Sequence, residues 1–238
     1  GYWAEKRRVP RSWGSLYQQR PAPEEGIVFK KEYFKTYHTE PEGDYYIAID
    51  PGVSEVGDHT AMHLWKIDKH ARIYLIKTFY QRCGMDVWIT DMMAWVKLYK
   101  PLEVISEAGV IRRAAEPWIK RAMRKTKTFF VQSWVTRSAN KEAMAQSGLA
   151  MAASGQLFLP KNSDGDRFMD ACLKFPASKE DHEVDSYANL CLRLETIFES
   201  RPQPEVEKPV SVLESGEIPI KALMPARFPK KRSRWSLN

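Results

Sequence analysis

A chain of 238 residues with 43% hydrophobic side chains is long enough for one full domain plus extensions. No apolar run approaches the roughly 18–20 residues needed to span a membrane, which excludes a helical membrane protein. A net charge of +7 favours a polyanionic partner without identifying one. Cys83, Cys172 and Cys191 are odd in number and have no Cys-x-x-Cys spacing. That pattern argues against zinc and against a disulfide framework, and it fits a reducing cytosol. The first residues, Gly1-Tyr2-Trp3-Ala4-Glu5-Lys6, carry no initiator Met and no signal-like apolar stretch, so a piece of a larger protein is expected.

The chain divides into three parts. Residues 1–43 mix charge, proline and aromatic side chains without a clear period and predict an extended connector with at most one short helix. Trp13, Tyr17, Phe29 and Phe34 are too apolar for a free tail and are expected to dock on a neighbouring surface. Residues 44–200 alternate strand and helix signals. Tyr45–Asp50 predicts a strand that turns away at Pro51-Gly52. Ala61–Ile67 and Ile73–Phe79 flank a polar turn and predict an antiparallel hairpin. Met85–Tyr99 has a helical period, Glu103–Ser106 is a short buried strand, and Ile111–Arg124 is a basic helix. Thr128–Trp134 predicts a strand, Lys141–Ser154 a helix with Ser138 as its N-cap, and Gln156–Leu159 a strand before Pro160. Phe168–Lys174 and Glu180–Glu199 complete the set as helices. A hairpin followed by alternating strands and helices predicts an α/β fold, a mixed central sheet flanked by helices. Residues 201–238 hold six of the fifteen prolines and end in a basic run, Lys230-Lys231-Arg232-Ser233-Arg234, which predicts a loosely ordered basic tail.

Three acidic residues stand where a metal-dependent nuclease needs them. Asp50 and Glu107 each end an apolar strand, and Asp185 lies near the start of the last helix. Separately they read as a turn Asp, a strand-end Glu and an acidic helix N-terminus that complements the dipole. In this order they can gather carboxylates around one or two divalent ions, which as hard cations prefer oxygen ligands. In the stretch Asp181-His182-Glu183-Val184-Asp185, the pairs 182/185 and 181/185 can each share a helical face.

The combination resembles the ribonuclease H-like superfamily, and within it the nuclease domain of phage terminase large subunits. The resemblance runs over about residues 15–200. It rests on Leu16-Tyr17-Gln18-Gln19-Arg20-Pro21-Ala22-Pro23, Gly26-Ile27-Val28-Phe29-Lys30, Ile49-Asp50-Pro51-Gly52, Gly57-Asp58-His59-Thr60-Ala61, Ser106-Glu107 and the Asp-His-x-x-Asp stretch. It implies that Asp50 bridges two metal ions, Mg²⁺ or Mn²⁺, that Glu107 is the second-motif carboxylate and that Asp185 is the last acidic ligand. Many relatives carry Asp-Asp-x-x-Asp at the last motif, where this chain has His182, so His182 is a ligand, a proton shuttle or a surface residue. Asp181 is the alternative ligand if the helix is rotated. Asp58 matches a further acidic position that holds the metal or a water, or it simply caps a loop.

The mechanism so implied is two-metal hydrolysis of concatemeric double-stranded DNA, leaving a 5′ phosphate. Arg112, Arg113, Lys120, Arg121, Arg124, Lys125 and Lys127 follow the Glu107 strand, and with Arg137 and Lys141 they are candidate phosphate contacts. Each could alone be a solvated charge. The implied partners are an upstream ATPase domain, a small terminase subunit and a portal or procapsid, in the cytoplasm of an infected bacterium. The basic tail is a candidate for that docking. Rival readings are a Holliday-junction resolvase-like nuclease and a non-catalytic DNA- or capsid-docking module. An actin-like ATPase is excluded by size, since about 155 core residues supply one domain where that fold needs two.

Overall fold

Side chains alternate along Asp44–Asp50: Tyr46 and Ala48 join one hydrophobic cluster, while Ile47 and Ile49 join another. A strand whose two faces are both buried must lie inside a sandwich. The computed structural model describes residues 29–52, 57–136, 141–178 and 180–200. Its strands are β1 (Lys35–Tyr37), β2 (Asp44–Asp50), β3 (Thr60–Ile67), β4 (Ile73–Gln81), β5 (Glu103–Glu107), β6 (Val131–Val135) and β7 (Leu157–Pro160). Its helices are α1 (Met85–Tyr99), α2 (Val110–Thr126), α3 (Lys141–Ala153), α4 (Ser163–Lys174) and α5 (His182–Ser200). A short 3₁₀ turn covers Lys31–Tyr33.

One mixed sheet runs in the order β1-β7-β4-β3-β2-β5-β6. The hairpin β3–β4 is antiparallel and β2 is antiparallel to β3, while β2–β5, β5–β6, β4–β7 and β1–β7 are parallel. Residues of α3, α4 and α5 fill the cluster on one face of the sheet, and residues of α1 and α2 fill the cluster on the other. The α/β architecture expected from the element order is therefore present as a three-layer sandwich. No helix among the described residues is long and apolar enough to cross a membrane.

Two segments differ from the sequence expectation. The described part of the expected connector is built into the domain: Phe29 is buried in the core with Phe34 beside it, and Lys35–Tyr37 forms the sheet edge on β7. The pairing partner lies more than 120 residues away, so no local pattern announces it. Helix α4 begins at Ser163, five residues before the expected start. Asn162 caps it by accepting from the backbone N–H groups of Asp164 and Gly165. Gly165 looks like a helix breaker, but its bare backbone is needed there, since a Cβ would stand 2.1 Å from the Pro160 carbonyl oxygen. The Ser138 cap and the tail from residue 201 onward lie outside the described residues.

At the start of β5, the Arg193 guanidinium of α5 grips the Glu103 carboxylate with both Nε and Nη2, at 2.7 and 2.8 Å. This hydrogen bonding, with Ser133 assisting, holds the Glu103 carboxyl below its usual pKa against the opposing effect of burial. A depressed acid stabilises the fold above its unfolded-state pKa, and that contribution fades as pH falls through the folded-state value. Arg193→Met should therefore cost roughly 1.5–3 kcal/mol at neutral pH, the range for hydrogen bonds to a charged group. In urea denaturation that loss should shrink steadily as the pH is lowered through the range in which Glu103 becomes protonated.

Candidate metal centre

Strand register brings the first two predicted carboxylates together. β2 and β5 run parallel with Ile49 opposite Ser106, so Asp50 and Glu107 are the next pair, on strands about 4.8 Å apart. Alternation sends both to the same face. Asp50 follows Tyr46 and Ala48, and Glu107 follows Glu103 and Ile105, which meet α5 and its cluster. Asp50 is buried and Glu107 is half-buried, each at the last residue of its strand.

Helix α5 begins above them. Ser186 donates its hydroxyl to the Ala48 carbonyl at 2.9 Å, and the Asn189 amide donates to the Ile49 carbonyl at 3.2 Å. These bonds lay the stripe 182–185–189 along β2, with Asp185 buried within it. Asp181, buried just before the helix, accepts the Asp185 backbone N–H at its carbonyl. A third anchor is wholly interior. The single hydroxyl proton of Ser186 is spent on Ala48, so its oxygen accepts from His63 Nδ1 at 2.9 Å. His63 Nε2 lies 3.3 Å from Glu183 Oε1, and Arg167 Nε meets the same carboxylate oxygen at 3.3 Å. Burial pushes the Glu183 carboxyl up, but His63 and Arg167 outweigh it and hold the pKa down. Nothing in the local sequence around His63 marks this role, because its partners lie about 120 residues away.

His182 Nδ1 lies 2.9 Å from Asp50 Oδ2. That hydrogen bond raises the His182 pKa above its ordinary value against burial, with the charges of Asp50, Asp58 and Asp181 adding to the rise. His182 is thus turned into the site, and the surface alternative is replaced by a buried contact. Asp58 is exposed on the chain just ahead of β3, yet close enough for His182 to feel its charge. Gly52 makes that approach possible: a Cβ on it would fall 2.3 Å from the Asp58 carbonyl oxygen. Its backbone N–H donates to Thr60 Oγ1, tying the start of the loop to β3.

The donor set is oxygen-rich and fits a hard divalent cation. In the arrangement seen, however, no three His, Cys, Asp or Glu side chains among the described residues stand at metal-binding spacing. Asp50, Glu107, Asp181 and Asp185 each have interaction partners. A cation held by Asp50 would share that carboxylate with His182, which meets its Oδ2.

The predicted phosphate contacts do not form one cluster beside the carboxylates. Arg112 and Arg113 lie in the first turn of α2, near Glu107, but the helix runs back along the opposite face of the sheet. At 1.5 Å per residue, Arg124 is roughly 18 Å farther along the axis than Arg112. Lys120, Arg121, Arg124, Lys125 and Lys127 are exposed toward that far end. Arg112 and Lys120 are partly neutralised by Glu116 between them. Arg137 and the Lys141 side chain lie outside the described residues.

A mixed sheet in which β2, β3 and β4 run antiparallel in succession and β5 and β6 join β2 in parallel, with helices on both faces, is the ribonuclease H-like fold. Among solved structures with this fold, the cobalt-bound large terminase nuclease from thermophilic phage G20c matches with a TM-score of 0.53 at 15% identity, over 71% of this chain and 98% of that one. The human cytomegalovirus terminase nuclease domain gives 0.49 at 10% identity, over 72% and 98%. No protein-family model and no curated protein sequence matches the chain.

The His182–Asp50 contact is open to direct measurement. A histidine whose pKa is raised on folding stabilises the protein below its unfolded-state pKa, and loses that effect as pH rises through the folded-state value. In metal-free protein, the NMR titration of His182 should lie above 6.5, the ordinary histidine value. Asp50→Asn should move it downward. An unchanged midpoint would show that the two side chains do not meet in solution.

Proposed function

We propose that the chain is a divalent-metal-dependent endonuclease acting on double-stranded DNA, the nuclease part of a viral DNA-packaging terminase. The carrying observation is the convergence of Asp50 and Glu107, at the ends of two adjacent parallel strands, on the helix that carries Asp185. The fold shared with the cobalt-bound phage nuclease supports the reading. So does the net positive charge, which suits a polyanionic substrate.

Asp50, Glu107 and Asp185 would hold the cation, with Asp181 or Asp58 as a further ligand. Two Mg²⁺ or Mn²⁺ ions bound there would polarise the phosphodiester, activate the attacking water and stabilise the departing 3′ oxygen. The protein's own part is placement. Ser186 and Asn189 fix α5 so that Asp185 faces the sheet end, while β2–β5 pairing fixes the spacing of the other two carboxylates. Released from Asp50, the His182 imidazole is placed to take up or return a proton at Nδ1. Arg112 and Arg113, one turn beyond Glu107, are placed to grip the phosphate backbone without reading its sequence. In this reading the ATPase, the small subunit and the portal or procapsid are partners in a larger motor, at work in the host cytoplasm.

The contact that occupies Asp50 favours one rival, a DNA- or capsid-docking module without catalysis. Cleavage of supercoiled plasmid in Mn²⁺, Mg²⁺ or EDTA separates the two. A nuclease nicks and linearises the plasmid only with metal, and Asp50→Ala or Asp185→Ala lowers the rate by roughly 10²–10³-fold or more, as loss of one transition-state-stabilising group does. Tight duplex binding with no cutting in either metal would leave the docking module standing.

A further inference from the structure

The row of residues that begins at the carboxylates does not end with them. Asp50 pairs with Ala61 on β3, and Ala61 pairs with Tyr80 on β4, so Tyr80 lies two strand spacings from Asp50, about 10 Å. Tyr80 is on the same face, since Arg167 of α4 covers one side of its ring at 5.3 Å. The His59 ring lies flat on Tyr80, with centroids 4.4 Å apart and an interplanar angle of 11°. The next ring inward is His182, 6.4 Å from His59. A row of rings, His182 tilted against His59 and His59 flat on Tyr80, therefore leads from the end of β2 outward across β3 and β4. Just beyond it, Arg82 reaches into solvent with a side chain 53% exposed. Its recorded ion partner is Glu180, 3.5 Å away and itself 60% exposed, which also lies 3.9 Å from His59. An ion pair this long and this wet is readily exchanged for another anion.

We propose that this strip seats the sugar–phosphate backbone of the DNA strand flanking the scissile bond, and that Glu180 is an internal stand-in for a phosphate. The inference rests on the reading of the chain as a DNA nuclease. Arg82 leaves Glu180 for a backbone phosphate within a few nucleotides of the cut. The His59–Tyr80 stack, stiffened from behind by Arg167, is the wall against which the strand lies. His59 already covers a face of Tyr80 and Arg167 lies over the same ring, so the contact is with backbone rather than with an inserted base. The strip is continuous with the carboxylates, and the strand being cut is what must cross the end of the sheet. That continuity favours DNA over an acidic protein surface.

Arg82 and Glu180 should then change DNA affinity in opposite directions, and by more than the loss of one surface charge remote from the strip. The experiment is fluorescence-anisotropy binding of a 30-base-pair duplex by the full chain, in EDTA, across a salt series. Arg82→Ala should weaken binding several-fold and lower the slope of log affinity against log salt by about 0.9, the share of one phosphate contact. Arg82→Lys should keep the slope. Glu180→Gln should tighten binding several-fold. Arg72, held by Asp68 at the opposite end of β4, is the control, and Arg72→Ala should change nothing. Thermal melting checks that each variant is folded. Equal weakening by Arg82→Ala and Arg72→Ala would overturn the proposal, as would unchanged affinity in both Arg82→Ala and Glu180→Gln. Opposite shifts in a protein that never cuts would keep the strip and remove the nuclease reading. Asp50-dependent cutting without opposite shifts would do the reverse.

Discussion

The seating of α5 against β2 is the constraint on which the arrangement of Asp50, Glu107 and Asp185 depends. A helix lying on a sheet by apolar contact alone can slide by a fraction of a turn at modest cost. Here the Ser186 hydroxyl and the Asn189 amide are bonded to successive carbonyls of a central strand, and His63 is held between Ser186 and the buried Glu183. Buried polar groups are expensive unless matched, so a shifted register would leave several of them without partners at once. That cost is what can fix Asp185 relative to Asp50 and Glu107. At the far end of the helix, Arg193 on Glu103 closes the same seam.

The central sheet was largely readable from the chain. Ile47 and Ile49 alternate with Tyr46 and Ala48 toward two cores, and such doubly buried runs end abruptly where a charged residue follows. Asp50 and Glu107 stood out for that reason, and parallel pairing made them neighbours. Asp185 and His182 were visible as one stripe of a helix. What the sequence left open was the rotation of that helix, and the Ser186 and Asn189 bonds decide it by turning 182 and 185 toward the sheet.

The unreadable parts share a cause, which is that their partners are remote. His63 looks like any polar residue in a strand until Glu183 is brought to it. Lys35–Tyr37 is too short to announce itself as a strand and depends on β7 for its pairing. The basic residues after Glu107 illustrate a different error. Closeness in sequence is not closeness in space, because a helix of 17 residues carries its last turn well away from its first. His59 and Arg82 are each ordinary alone, and only the sheet register brings their neighbours Ala61 and Tyr80 into line with Asp50.

The position of β7 between β1 and β4 bears on the order in which the molecule can assemble. During synthesis, Lys35–Tyr37 leaves the ribosome more than 100 residues ahead of Leu157–Pro160, its partner in the sheet. The hairpin β3–β4 can close early because its contacts are local. The edge strand β1 must wait, and through that interval Phe29 and its neighbours remain wet. The earliest of the sheet-forming segments to be made is thus the last that can be secured. Closure of that edge marks completion of the sheet, because it requires everything through Pro160 to be in place.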